Sequence, residues 1–356
     1  MIVMEFVRAV FVFCRDLLQQ EAEWFQAASL PVKIAVSGAG VLAATYGVWC
    51  AWFFGGTRRV KSSVRLDGKT VIITGANAGI GRETAVDLAS RGARVIMACR
   101  NPTKAQAALA EVRQRSGSDN VVFKQVNTSD LKSVRAFADQ ILKEEDRLDI
   151  LINNAGVVAA KEILTPEGFD MIMSTNHVGH FVLTMTLMDL LKKSAPSRIL
   201  NVSSLSHAWY TDKPGMEFSN KSGKGLEGLQ FYARSKLANV IFAKELARRL
   251  AGTGVTAYSL HPGAIFSSLW RTDEVWLHYF MRPLFWLCLL NEKDGAQTTV
   301  YCAIDDSVTQ HNGEYFANCQ LAKESMHEKA NDVALTKQLW DVSCEAAGID
   351  PNVPLV

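Results

Sequence analysis

At 356 residues, 48% hydrophobic and 21% charged, the chain is long enough for one large globular domain with an extension. Its formal net charge of +2, with no basic tract interleaved with aromatics, argues against a nucleic-acid partner. Cys14, Cys50, Cys99, Cys288, Cys302, Cys319 and Cys344 include no C-x-x-C pair, so the spacing implies no disulfide framework and no metal, and the thiols read as reduced.

The N-terminal segment, residues 1–33, opens with an apolar stretch from Met1 to Cys14 that is too short to span a bilayer and suits an interfacial helix. No A-x-A-like site marks it as a cleaved signal. Residues 34–54 carry no charge and have the length of a hydrocarbon core, so Ile34 to Phe54 reads as a transmembrane anchor, with a buried core helix as the alternative. The basic linker 55–65 holds Arg58, Arg59, Lys61 and Arg65 and no acid. That asymmetry places the following domain on the cytosolic side of a single-pass membrane protein, of the endoplasmic reticulum or, as the alternative, of mitochondria. Gly40 and Ala44 have small-xxx-small spacing, which leaves a homodimer open.

From residue 66 to 349, ahead of a short tail at 350–356, apolar runs alternate with amphipathic segments. The runs are Val71–Ile73, Val95–Ala98, Val121–Val126, Ile150–Ile152, Ile199–Val202 and Thr256–Leu260, with a last strand near Tyr315-Phe316. Helices are expected over Thr103–Arg115, Leu131–Glu144, Phe169–Lys192 and Phe231–Leu250. The alternation predicts an α/β fold with a doubly wound parallel sheet of Rossmann type.

After the first run comes Thr74-Gly75-Ala76-Asn77-Ala78-Gly79-Ile80-Gly81, then a helical pattern. Glycines at this strand-turn-helix junction let the backbone approach a pyrophosphate that rests on the helix N-terminus. Ser203-Ser204 ends the run Ile199–Val202, presenting a hydroxyl at the strand's carboxyl end, where open α/β sheets bind ligands. Tyr232 and Lys236, four apart, share one helix face, so the ammonium is expected to lower the pKa of the phenol.

The glycine loop, Asn153-Asn154-Ala155-Gly156, Asn176, Ser204 with Tyr232 and Lys236, and Pro262-Gly263 stand in the order of the short-chain dehydrogenase/reductase family, which the chain resembles over roughly residues 66–349. Ala98-Cys99-Arg100, Asn176-His177-Val178-Gly179-His180-Phe181 and Leu260-His261-Pro262-Gly263 resemble its membrane-anchored retinol dehydrogenase branch. The resemblance implies Tyr232 as general acid or base, Ser204 as hydrogen-bond donor to the carbonyl oxygen, and Lys236 on the nicotinamide ribose. It gives Asn176 a water that links Lys236 to solvent. It also lines a cofactor with Gly75, Asn77, Gly79, Ile80, Gly81, Asn153, Ala155, Gly156, Pro262, Gly263 and Ser267.

Arg100, at the end of the second strand, favours NADP(H), because a guanidinium grips the 2′-phosphate where an acid would take both ribose hydroxyls. Arg82 either adds a second charge there or caps a helix face. Asn127 stands where relatives carry an aspartate against the adenine amino group, and its amide oxygen keeps the acceptor. Asp273 to Leu290, rich in Trp and Phe, lies where the family builds its substrate lid and suits a lipophilic substrate. The insertion from Ala208 to Leu229 borders the site. Retinal reduction is the leading expectation, a lipid-aldehyde or steroid carbonyl reductase the runner-up, and a non-catalytic membrane scaffold the third. His177, His180, His261 and Asp149 read as structural.

Overall fold

The computed structural model describes residues 58–158, 164–165, 167–211, 215–216, 225–263 and 291–355. Ile34 to Phe54, Ser267 and Asp273 to Leu290 lie outside the described residues, as does part of Ala208 to Leu229. Among the described residues no helix is long and apolar enough to cross a membrane.

Strand β1 (Thr70–Thr74) has the sequence TVIIT, all β-branched and all buried. Such side chains are stiff and pack well on a pleated surface. β2 (Arg94–Cys99), β3 (Val121–Gln125), β4 (Ile150–Asn153), β5 (Ser197–Val202), β6 (Val255–His261) and β7 (Tyr315–Ala317) complete a parallel sheet, and β8 (Gln320–Leu321) adds an antiparallel edge. The order is β3-β2-β1-β4-β5-β6-β7-β8, the doubly wound topology expected. Its switch point falls between β1 and β4, where the chain leaves one half of the sheet for the other.

The helices in chain order are α1 (Gly79–Ser90), α2 (Pro102–Ser116), α3 (Leu131–Glu144), α4 (Met171–Met173), α5 (Gly179–Thr186), α6 (Met188–Lys193), α7 (Gly225–Arg249), α8 (Glu292–Gly295), α9 (Gln297–Ile304) and α10 (Val333–Ala347). Alternate strand residues feed two cores. Ile72, Ile96 and Ile199 face α3, α5, α7 and α10, through Phe137, Phe181, Leu237 and Trp340. Val71, Ile73, Met97 and Leu200 face α1, α2 and α9, through Leu88, Val112 and Val300.

α3 spans the range its sequence predicts, because the Asp130 carboxylate caps the N–H groups of Lys132 and Ser133. The single helix expected from Phe169 to Lys192 is instead broken into α4, a π turn (Ser174–Val178), α5 and α6. Gly179 begins α5 beside Thr128, and a Cβ there would lie 2.0 Å from the Thr128 carbonyl oxygen. α7 starts at Gly225, earlier than the expected Phe231. The described part of the basic linker, from Arg58 on, is tied to this domain: Arg59 pairs with Asp294 at 2.8 Å, and the Val60 N–H donates to Gln297 Oε1.

Candidate active site

β1 delivers Thr74 to the turn, where Gly75 and Gly79 take φ of +69° and +59°. A Cβ on Gly81 would lie 2.6 Å from both Asn154 Nδ2 and the Gly75 carbonyl oxygen. The turn is therefore packed directly on the end of β4. Thr74 Oγ1 accepts from the N–H groups of Asn154 and Ala155, each at 2.9 Å, and Asn154 Nδ2 donates to the Thr74 carbonyl at 2.8 Å. At the N-terminus of α1, Ala78 provides no side-chain cap and the first turn holds no acid. Among the described residues its N–H groups have no side-chain acceptor, an arrangement that suits an anion. Asn77 and Ile80 are partly buried beside it.

The other residues expected around a cofactor are placed differently from one another. Arg100 is exposed, and its guanidinium has no hydrogen bond or ion pair among the described residues. Arg82 is held between Glu111 at 2.8 Å and Glu292 at 3.0 Å. Asn127 Oδ1 accepts from Ser129 Oγ at 2.9 Å, so the oxygen expected to meet an adenine amino group is engaged in a local turn. Asn153 lies buried at the end of β4, where its Nδ2 reaches Asn201 Oδ1 at 2.8 Å and Thr184 Oγ1 at 3.1 Å. Pro262 and Gly263 follow β6, with Gly263 at φ +93°. The bare glycines, open helix N-terminus and unpaired Arg100 fit a phosphorylated dinucleotide.

At the carboxyl end of β5, Ser204 caps a short 3₁₀ helix (Leu205–Trp209), its Oγ accepting from the Ser206 N–H. α7 carries Tyr232, Ser235, Lys236 and Asn239 toward it. Lys236 Nζ donates to the Val202 carbonyl at 3.1 Å and lies 5.5 Å from the centre of the Tyr232 ring. Asn239 Nδ2 donates to the same carbonyl, and Ser203 Oγ donates to the Lys236 carbonyl at 2.7 Å. Asn176, in the π turn, accepts from the Val157 N–H at 2.8 Å and donates to the Val157 carbonyl at 3.1 Å and to Ser235 Oγ at 3.0 Å. Gly156 closes the group, since a Cβ there would come 3.3 Å from Lys236 Nζ and 3.5 Å from Asn176 Oδ1. Asn176, Ser204, Tyr232, Lys236 and Gly156 thus converge beside the glycine turn.

The electrostatics correct one expectation. Burial pushes the Tyr232 phenol up to about 12, and the hydrogen bond with the Ser204 side chain pulls it only part of the way back. Burial pushes the Lys236 ammonium down to about 8. Desolvation of the phenolate outweighs the Ser204 hydrogen bond, so the phenol lies above its ordinary value and not below it as expected.

Some residues of the site escaped the sequence reading. Arg234, between Tyr232 and Lys236, is fully buried and pairs with fully buried Asp170 at 3.0 Å. Asp170 also caps α4 at the Ile172 and Met173 N–H groups. The place of Arg234 between Tyr232 and Lys236 was the available signal. Of the histidines, His177 bonds Ser343 at 3.0 Å and His261 accepts from the Leu205 N–H at 3.2 Å. Burial holds them at about 3 and about 4. Asp149 anchors strand ends through Lys69, Arg147 and the Thr70 N–H, as a structural carboxylate.

The model of the short chain dehydrogenase family matches residues 69–211. Retinol dehydrogenase 11 of Mus musculus is 45% identical over 292 residues, which cover 81% of this chain and 89% of that one. Dehydrogenase/reductase SDR family member 13 of Bos taurus is 44% identical over 291 residues, 81% of this chain and 75% of its own. The crystal structure of an uncharacterised protein from Mycobacterium Paratuberculosis superposes with a TM-score of 0.64 at 31% identity, covering 82% of this chain and 97% of that one. With the parallel sheet and the glycine turn, these likenesses make the chain a nicotinamide-dependent oxidoreductase. It belongs to the short-chain dehydrogenase/reductase family, in its retinol dehydrogenase-like branch.

Proposed function

We propose that the protein reduces a lipophilic aldehyde or ketone, retinal first among them, to its alcohol with NADPH. The observation that carries the reading is the convergence of the Ser204 and Tyr232 hydroxyls with Lys236 beside an open helix N-terminus. Two relatives of 44–45% identity lend it direction: one bears the name of a retinol dehydrogenase and the other names no substrate, which keeps a lipid-aldehyde or steroid carbonyl as the second reading.

The α1 N-terminus, Gly75, Gly79 and Gly81 would take the pyrophosphate, and Arg100 the 2′-phosphate. Bound there, the reduced nicotinamide supplies hydride. Ser204 donates a hydrogen bond to the substrate oxygen and orients it. Tyr232, a phenol at rest, hands that oxygen its proton as negative charge develops on it. Lys236 holds positive charge beside the phenolate left behind, and Asn176 keeps a water in reach of Lys236 for reprotonation. A phenol held at about 12 is stocked with a proton at neutral pH, which suits reduction.

Ile34 to Phe54 anchors the chain in the endoplasmic reticulum membrane with the domain on the cytosolic face, close to where a lipophilic carbonyl dissolves. NADPH oxidation by detergent-solubilised full-length protein, with all-trans-retinal, a medium-chain aldehyde and a 3-ketosteroid in parallel and NADH as control, tests the reading. Turnover of retinal with NADPH preferred is expected. Turnover of the other carbonyls alone would replace the substrate, and cofactor binding with no turnover would leave a scaffold.

A further inference from the structure

His180 lies on α5, one turn after Asn176, and is buried between the glycine turn and the π turn. Its Nδ1 is 3.1 Å from the Asn176 carbonyl oxygen and its Nε2 is 2.9 Å from Thr74 Oγ1. A carbonyl only accepts, so Nδ1 carries the hydrogen. Burial holds the ring neutral, with its pKa at about 4, so Nε2 is an acceptor and the Thr74 hydroxyl donates to it. The Ile152 carbonyl, 3.3 Å from the same hydroxyl, is the more distant acceptor. The lone pairs of Thr74 Oγ1 are already engaged by Asn154 and Ala155. Beyond His180 the bonds continue: Asn176 Nδ2 donates to Ser235 Oγ at 3.0 Å, and Ser235 Oγ donates to the Tyr232 carbonyl at 2.8 Å. Every hydrogen between the cofactor turn and the backbone of Tyr232 then has one direction.

We propose that His180 is a positioning residue that couples the cofactor turn, through Thr74, to the Asn176 carbonyl and so sets the two halves of the site in register. A neutral imidazole suits the place because it offers one donor and one acceptor at opposite ends of a rigid ring. The inference rests on the proposed role of Asn176 in proton resupply, and it divides the work of the two ring nitrogens. Nε2 serves the turn that binds cofactor. Nδ1 serves the Asn176 backbone carbonyl.

Two substitutions separate those ends in the full-length protein. His180→Asn keeps a donor at the reach of Nδ1 and loses Thr74, whereas His180→Gln keeps an acceptor at the reach of Nε2 and loses the Asn176 carbonyl. NADPH affinity is read by quenching of protein fluorescence, and kcat by NADPH oxidation with retinal. We expect His180→Asn to loosen NADPH about tenfold with kcat within about threefold, and His180→Gln to lower kcat about tenfold with NADPH affinity within about threefold. Variants that behave alike, in either direction or with only their melting temperatures lowered, would reduce His180 to packing and overturn the coupling. Because the affinity measurement needs no carbonyl, a wild type that leaves retinal untouched strikes the substrate reading alone. The coupling is then decided by whether NADPH loosens in the Asn variant and not in the Gln variant.

Discussion

Burial pushes Tyr232 and Lys236 toward their neutral forms, raising the phenol's pKa and lowering the ammonium's. A phenol at about 12 does not ionise at neutral pH, so its removal takes away an acid and little else. Tyr232→Phe is expected to lower kcat by about 10²–10⁴ while NADPH, followed by fluorescence quenching, binds within about threefold of wild type. Activity in that variant close to wild type would displace Tyr232 from the acid role. Lys236 makes the matching statement about stability. Its folded pKa, about 8, lies below the ordinary 10.5. Between those values the unfolded chain binds more protons than the folded one, so stability rises with pH across that window, and the penalty is fully present below about pH 8. Lys236→Met, inactive, should therefore stabilise the cofactor-free protein by up to about 3 kcal/mol at pH 7 and by roughly half as much at pH 9.5. Urea titrations at the two pH values check this, and equal gains at both would show that packing, not charge, is responsible.

Among the elements, α1, α2, α3, the body of α7 and the buried strands were legible in the sequence, because their causes are local, whereas α10 was not among the expected helices. Asp130 before Leu131 and the β-branched run Thr70–Thr74 act through their own neighbours. The π turn was not legible, because its surroundings come from elsewhere: the Thr128 carbonyl closes on Gly179, and Ser129 approaches Ser174. Likewise Tyr232 and Lys236 announced themselves by spacing, whereas the Arg234 that fixes their helix needs Asp170, which no spacing rule connects to it. That pair sets α4 and α7 together with neither charge in contact with water. Removing one partner leaves the other buried and uncompensated, so Asp170→Asn and Arg234→Met should each cost about 3–5 kcal/mol, while the double variant should recover part of that loss. Additive losses in chemical denaturation would mean that the two charges are not coupled.

Across the whole molecule, two arginines that looked alike in the sequence do different work. Arg100 stands exposed at the end of β2 with its guanidinium unpaired among the described residues, whereas Arg82 joins α1 to α2 through Glu111 and to α8 through Glu292. The Glu292 carboxylate lies 4.0 Å from where a Gly79 Cβ would stand, at the helix end proposed to take the pyrophosphate. An unpaired carboxylate there would repel any dinucleotide, and we propose that Arg82 serves the cofactor by neutralising Glu292, with no selectivity for a 2′-phosphate. Arg100→Ala should then weaken NADPH about 10- to 100-fold and leave NADH within about threefold. Arg82→Ala should weaken both cofactors alike, by a few-fold because the pair is partly exposed and screened, and Glu292→Gln in the same chain should restore them. Calorimetric titration of both cofactors against the three variants separates these cases. Loss of NADPH alone on removing Arg82 would instead put its guanidinium on the 2′-phosphate and detach Glu292 from cofactor binding.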